Sequence, residues 1–156
     1  MSTDLNIGRQ ADCGARDFTD EEFLVAFEGL ALASDRFRHY DHLRLAWIML
    51  RASDDDIDVA TARMVGALRT FALHHAGSLA KYHDTVTRSY MHLVEAHRRR
   101  TPAIGDFQTF ALAHPELFDR KLLFEYFSES VIASAAARTQ WIDPDRRALP
   151  HSGGVG

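Results

Sequence analysis

The sequence contains one cysteine, Cys13, so a disulfide bond within the chain is excluded. Proteins without disulfides are typical of a reducing compartment, and we expect a cytoplasmic location. The first residues lack the basic and then apolar pattern of a secretory signal. No apolar stretch approaches the roughly 20 residues that cross a bilayer. The sequence therefore predicts a cytoplasmic protein that has no membrane partner.

An excess of positive charge is also absent. The formal net charge is −4, with 18 Lys and Arg residues against 22 Asp and Glu residues. Nucleic-acid-binding domains usually carry a basic patch, so we expect no nucleic-acid partner. The nine glycines are scattered and form neither G-x-G-x-x-G nor a Walker loop. This pattern argues against a glycine-rich phosphate-binding loop.

The chain also lacks linkers and repeats, and 156 residues are most simply one domain. Residues 1–17 and 151–156 have no hydrophobic period, and we expect them to be mobile ends. Between them, residues 18–150 should form a single helical domain. Apolar residues recur there at helical spacing, and no segment alternates as a strand would. The sequence predicts an all-α bundle of five to seven helices.

Capping residues indicate where the helices begin and end. Thr19 forms a capping-box pattern with Glu22 at the first helix, and Asp41 is expected to cap the second. The acidic run at residues 53–56 predicts the start of a third helix, which Gly77 ends. The second helix is expected over residues 42–52. Further helices are expected over residues 79–100, 106–113 and 116–140, the last with a break near Ser128. In the second helix, only two side chains are expected to face water, those of Arg44 and Arg51.

Three histidines occupy positions that a helical bundle would normally give to apolar residues. His83 is expected to share an inward helix face with Val86 and Tyr90. His42 leads the apolar second helix, and His39 lies one turn before it. Three neutral imidazoles can hold a zinc, iron, nickel or manganese ion and leave a coordination position open. We therefore predict His39, His42 and His83 as metal ligands and a divalent metal as the cofactor.

Such a pocket would suit an enzyme that acts on a small polar or anionic metabolite. A bound metal acidifies water, which favours metal-assisted hydrolysis, lyase or proton-transfer chemistry. The predicted catalytic residues are His83, His42, Tyr82 and Thr87. The predicted substrate-binding residues are Lys81, Arg38, Thr85, Tyr90, Tyr126 and Arg138. The cationic members of this set match carboxylate or phosphate groups.

Other interpretations stay open. Without a metal, His42 or His83 could act as a general acid or base. The same pocket could instead belong to a non-catalytic module that binds a small ligand or a partner's helix, its histidines being structural. The helical faces could also pack between two copies, which would make a homo-oligomer. His74 and His75 could be favoured by the dipole at the end of the third helix, and His75 is also a reserve ligand. No partner is expected for His92, His97, His114 and His151.

Three segments together resemble a known family. They are F-x-H-x-x-H-L-x-x-A-W at residues 37–47, K-Y-H-x-T-x-T at residues 81–87, and P-D-x-x-x-L-P at residues 144–150. The family consists of small bacterial all-helical proteins and is functionally uncharacterised, so the resemblance implies positions of interest and no activity. Those positions are His39, His42, Lys81, Tyr82, His83, Thr85 and Thr87. More distantly, a three-histidine bundle resembles the DinB-like metal-binding bundles, although the pairing of histidines here departs from their pattern.

Overall fold

The computed structural model describes residues 18–54 and 56–150. The predicted mobile ends, which include Cys13 and His151, lie outside the described residues. The described α-helices are α1 (Asp20–Glu28), α2 (His39–Ala52), α3 (Ile57–Ala76), α4 (Asp84–Arg100), α5 (Phe107–Ala113), α6 (Glu129–Ala133) and α7 (Ala135–Thr139). Short 3₁₀ helices occur at Ser34–Arg36, Pro115–Phe118 and Arg120–Glu125. The described residues form no strand, so the predicted all-α bundle is confirmed.

Several helix boundaries lie where the capping residues predict them. Glu22 N–H donates to Thr19 Oγ1 at 3.1 Å and Thr19 N–H donates to Glu22 Oε1 at 2.8 Å, which completes the capping box of α1. Asp56 caps α3, and Gly77 ends it with a left-handed φ of 71°. Ser128 caps α6 at the predicted break. Each of these ends depends on residues close together in the sequence.

Two predicted helix starts are wrong. Helix α2 begins at His39, before the predicted start, because Asp41 reaches back from the first turn to accept a hydrogen bond from Arg38 N–H at 2.9 Å. Helix α4 begins at Asp84, five residues after the predicted start, because His83 has an extended backbone and caps the helix. His83 therefore lies outside the helix whose inward face it was predicted to share.

The stretch over residues 116–140 is more divided than one broken helix. Asp119, Ser128 and Ser134 each accept a hydrogen bond from a backbone N–H at the start of a new short element. Side chains of this kind compete with continued helix by satisfying the backbone locally. The C-terminal part of the chain is therefore a series of short turns. No helix in the described ranges is both long and apolar enough to span a membrane.

Helix α2 is the centre of the bundle and packs against α1, α3 and α4. Arg44 on α2 was expected to face water, but it is buried at 6 % exposure. Its Nε donates to Asp20 Oδ1 at 2.9 Å, and its Nη2 donates to Phe18 O at 2.6 Å. Asp20 Oδ2 accepts from Phe107 N–H at 3.0 Å. One carboxylate therefore joins α1, α2 and α5. Arg51 is exposed, as expected.

Replacing Arg44 by alanine is expected to lower the free energy of unfolding by about 3 kcal/mol, because Asp20 then keeps its negative charge beside the core without the positive charge that balances it. Urea unfolding followed by circular dichroism measures this change. The matched control is Arg63→Ala, because Arg63 pairs with Glu28 while both side chains are more than a third exposed. The control should cost less than about 1 kcal/mol. Equal costs for the two variants would contradict the role of Arg44.

Candidate metal centre

His83 is a cap for helix α4. Its Nδ1 accepts a hydrogen bond from Val86 N–H at 3.2 Å, and its Nε2 donates to Ile132 O at 2.7 Å. An accepting Nδ1 and a donating Nε2 define one neutral tautomer. Because both ring nitrogens are used, neither presents a lone pair to a metal in this arrangement. The histidine instead joins the start of α4 to α6.

The rest of the 81–87 segment holds the C-terminal part of the chain. Thr85 is fully buried; its Oγ1 donates to Gln140 O at 2.8 Å and accepts from Ile142 N–H at 3.0 Å. Thr87 Oγ1 donates to His83 O at 2.8 Å, within the first turn of α4. The hydroxyl groups predicted to serve catalysis and substrate binding are therefore used by the backbone.

Tyr82 and Arg138 have partners at the same end of α4. Tyr82 O–H donates to Asp84 Oδ1 at 2.7 Å, and Asp84 Oδ2 accepts from Arg88 Nε at 2.7 Å. Burial, together with the hydrogen bond to Asp84, raises the pKa of Tyr82 far above its usual value. Arg138 Nη1 donates to Ala80 O at 3.0 Å. These contacts support the local structure around the cap.

The other two predicted ligands, His39 and His42, lie in the first turn of α2 and are half-buried. His39 Nε2 donates to Leu117 O at 3.1 Å, and His42 Nδ1 donates to Arg38 O at 3.0 Å. Burial lowers the pKa of His39, and burial lowers that of His42 to about 4. Both imidazoles are therefore neutral at pH 7.

The remaining predicted site residues do not add a common pocket to these histidines. Tyr90 packs edge-on against His39 with ring centres 5.1 Å apart, and burial raises the pKa of Tyr90 to about 12. Tyr126 is buried beneath the guanidinium of Arg147, 4.7 Å from its ring centre. Lys81 and Arg38 are exposed. The structure does not bring His39, His42 and His83 together as one ligand group.

A different set of side chains meets the spacing that a metal requires. His97, His114 and Glu116 each offer a ligand atom, and these atoms lie within 4.8 Å of one another. Within residues 18–54 and 56–150, this is the one group of three or more histidine, cysteine or acidic side chains with such spacing. His97 is in the last turn of α4, His114 follows α5, and Glu116 lies in the 3₁₀ helix Pro115–Phe118.

The hydrogen bonds of His97 decide which of its nitrogens faces Glu116. Nδ1 lies 2.7 Å from Leu93 O, and a carbonyl oxygen only accepts, so Nδ1 carries a proton. Nε2 lies 3.0 Å from Glu116 Oε1. A neutral ring would direct a lone pair at a carboxylate, which is repulsive. The contact is therefore explained by a proton shared between the two atoms, or by a metal ion bound to both.

His114 completes the group from the other side of Glu116. Its Nδ1 lies 3.7 Å from Glu116 Oε1, and its Nε2 lies 2.8 Å from Thr101 Oγ1. Burial and then the charge of His97 lower the pKa of His114, which Glu116 offsets only in part. His114 is therefore neutral at pH 7. A neutral ring whose far nitrogen is held by a hydroxyl is a common arrangement for a metal ligand.

Glu116 is ionised beside the two imidazoles. Burial raises the pKa of Glu116, but its own backbone N–H, the neighbouring imidazoles and the guanidinium of Arg100 together lower it by more, so the net shift is downward. The side chain is 47 % exposed, whereas those of His97 and His114 are 10 % and 5 % exposed. The group therefore has two enclosed nitrogen ligands and one carboxylate that faces solvent.

No partner is expected from the sequence for His97 or His114, and the structure corrects this expectation. One local signal was present: His114 and Glu116 flank Pro115, and the buried Phe110 and Leu117 lie on either side. A histidine and an acid separated by one residue, with apolar residues around them, indicate a polar pair whose hydrogen-bonding groups need partners in the fold. Its pairing with His97 arises only when α4 packs near the end of α5.

The chain matches no protein-family model, no curated protein and no solved structure. The resemblance to a small bacterial helical family therefore stays a prediction. The functional proposal for this chain rests on the geometry and charge of the His97, His114 and Glu116 group.

Thr85→Val is expected to lower the free energy of unfolding by about 1 to 2 kcal/mol, because the isosteric methyl group leaves Gln140 O and Ile142 N–H without their buried partner. Hydrogen–deuterium exchange should accelerate over residues 140–142. Thr87→Val is the matched control, because the Thr87 hydroxyl donates to His83 O and not to residues 140–142. Unchanged exchange over residues 140–142 in Thr85→Val would show that Thr85 does not hold this segment.

The low pKa of His42 predicts a loss of stability in acid. The folded protein holds this pKa at about 4, against 6.5 for an unperturbed histidine. Between these values the unfolded chain binds more protons, so the free energy of unfolding falls as the pH decreases from 6.5 to 4, by about 2 kcal/mol. Urea unfolding between pH 7 and 4.5 should show that the free energy of unfolding depends less on pH in His42→Asn than in the wild type. His74→Asn, at an exposed position, should keep the wild-type slope; equal slopes in all three proteins would contradict the assignment.

Proposed function

We propose that the chain binds a divalent transition-metal ion through His97 Nε2, His114 Nδ1 and a carboxylate oxygen of Glu116. The observation that carries this proposal is the approach of His97 Nε2 to Glu116 Oε1 at 3.0 Å while His97 Nδ1 donates to Leu93 O. Without a proton or a metal ion between them, this nitrogen and this oxygen would repel each other, and the nearby ligand atom of His114 supports the metal ion. Two imidazoles and one carboxylate form a ligand set that zinc commonly takes.

Two of the three distances between the ligand atoms are close to those around a tetrahedral ion. Bonds of about 2.0 Å to a tetrahedral zinc ion place its ligand atoms about 3.3 Å apart. The distances from Glu116 Oε1, 3.0 Å to His97 and 3.7 Å to His114, lie on either side of that value. All the ligand atoms lie within 4.8 Å of one another, so the two imidazole rings would have to adjust as well as the half-exposed Glu116 side chain to bind the ion.

The ligand number supports a catalytic metal over a structural one. Structural zinc sites usually have four protein ligands, whereas catalytic sites have three and leave a position for water or substrate. Here the Glu116 side chain is about half exposed, so water or substrate would be able to reach an ion that these residues held. A divalent ion in such a site acidifies water and polarises a substrate oxygen. We propose metal-assisted hydrolysis, lyase or proton-transfer chemistry as the reaction class.

The surrounding charge favours an anionic substrate. Arg100 is exposed at the end of α4, and its charge acts on both His114 and Glu116. A carboxylate or phosphate that reaches the metal would meet this guanidinium as well, and guanidinium groups bind such oxygens in pairs. The proposed substrate is therefore a small polar or anionic molecule.

A non-catalytic ligand-binding module is the second candidate function. The observation that favours it is that His39, His42 and His83 each donate a ring N–H to a backbone carbonyl, as structural histidines do. In this alternative, a second proton on His97 is the cation between the ring and Glu116. The resulting ion pair would tie α4 to the Pro115–Phe118 turn.

Metal analysis after incubation with zinc and extensive dialysis tests the site. The full-length chain without an affinity tag is expected to retain close to one zinc ion. Glu116→Gln and His97→Ala should lower the affinity by more than about 100-fold, because even the outer partners of a ligand account for about 10- to 100-fold. Thr101→Val, which removes the hydroxyl beside His114 Nε2, should give a smaller loss. The zinc dissociation constants of the wild type and the variants are measured by competition with a chelator of known affinity.

His39→Ala and His83→Asn are the matched controls, because each removes a histidine that lies outside the ligand group. Both are expected to retain zinc. Loss of zinc in these variants and retention in Glu116→Gln would overturn the assignment. If zinc binds, a cobalt-loaded sample titrated with acetate tests whether the bound metal has an open coordination position, since binding of acetate there changes the visible spectrum. An unchanged spectrum would indicate a closed, non-catalytic site.

A further inference from the structure

A solvent-open groove lies between α3 and α4, away from the proposed metal ligands. Its volume is about 740 Å³, within the range of small-molecule sites in proteins. Gly66 and Arg69 on α3, Arg88 and His92 on α4, and Trp141 after α7 contribute to its lining. No residue of this groove is explained by the proposed metal site.

The floor of the groove contains a glycine that the fold does not require. Gly66 lies in the middle of α3 with a right-handed helical backbone, and no atom lies within 4 Å of the position that its Cβ would occupy. Glycine destabilises a helix interior relative to alanine. Neither a turn nor a close neighbour compensates for this cost. What the glycine does provide is space, because any side chain here would occupy the groove.

Two arginines make the groove attractive to an anion in a chain whose net charge is −4. Arg88 Nε donates to the buried Asp84 at 2.7 Å, which fixes the direction of its guanidinium. Arg69 lies over the ring of Tyr82, 5.7 Å from its centre. Asp58 is the acidic residue in the lining, and Asp84 offsets the charge of Arg88, so Arg69 is the cationic group of the lining that faces the smaller opposing charge.

Trp141 supplies a fixed aromatic wall. Its indole N–H donates to Asp143 Oδ1 at 2.8 Å, and its ring meets Phe127 edge-on with centres 6.2 Å apart. The neighbouring Ile142 is held to α4 by Thr85. The tryptophan nevertheless remains 36 % exposed. A large aromatic ring that is held in place and partly exposed beside a groove is suited to stacking against a flat ligand.

We propose that this groove binds a small planar aromatic molecule that carries a carboxylate or phosphate group. The aromatic part lies over Gly66 and against Trp141, and the anionic group meets Arg69 and Arg88. The 81–87 segment builds this site indirectly, since it positions Arg88 through Asp84 and Trp141 through Thr85. The proposal is independent of metal binding by His97, His114 and Glu116.

Titration of the ¹⁵N-labelled protein with 2-naphthoate, followed by NMR, tests the proposal. The chain has two tryptophans, so two indole N–H signals are expected. The Trp141 signal should move on titration, whereas that of the buried Trp47 should not. Neutral 2-naphthamide should bind at least about tenfold more weakly, because it lacks the charge that the arginines recognise.

Gly66→Leu is the decisive variant, since leucine fills the groove while improving the helix. It should raise or preserve the melting temperature and abolish the Trp141 shift. Arg69→Gln should weaken 2-naphthoate binding about tenfold. Thr70→Leu is the matched control, because residue 70 lies on α3 but outside the lining, and it should bind as the wild type does. A static Trp141 signal in the wild type, equal binding by Gly66→Leu, or equal binding of 2-naphthamide would overturn the proposal.

Discussion

The hydrogen bond from Val86 N–H to His83 Nδ1 sets the start of helix α4, and the placement of much of the chain depends on that start. The opposite nitrogen of the same ring donates to Ile132 O, so the cap also holds α6. Thr85, two residues later, holds the backbone that leads to Trp141. A leucine at position 83 could make neither bond. The histidine in this segment is thereby explained without catalysis.

The two ends of α4 have different roles. At its beginning, Asp84 orients Arg88 toward the groove. At its end, the buried Glu95 pairs with Arg98 and Arg99, and His97 lies between these positions on the inward side. Because the helix is rigid, its start also sets the position at which His97 meets Glu116. The groove and the proposed metal centre thus share one structural element while using different side chains.

Local chemistry was sufficient to predict the start of α1 and both ends of α3, because a cap such as Thr19 or Gly77 involves residues within one or two turns. It was insufficient for His83, since the sequence pattern is the same for a histidine on an inward helix face and for a histidine that caps the helix. Only the contact with the distant Ile132 distinguishes the two. Arg44 was missed for the same reason: its partner Asp20 is on another helix. The His97 and His114 pairing likewise requires tertiary packing, which no local periodicity encodes.

The central claim is that His97 and His114 bind a metal through particular nitrogens. Long-range ¹H–¹⁵N NMR of the imidazole rings, recorded before and after addition of one equivalent of zinc, tests it directly. The account predicts that His97 Nε2 and His114 Nδ1 take metal-bound shifts while His97 Nδ1 stays protonated and the His39, His42 and His83 rings are unchanged. Unaltered His97 and His114 signals, or zinc-induced shifts at His39, His42 or His83 instead, would contradict it.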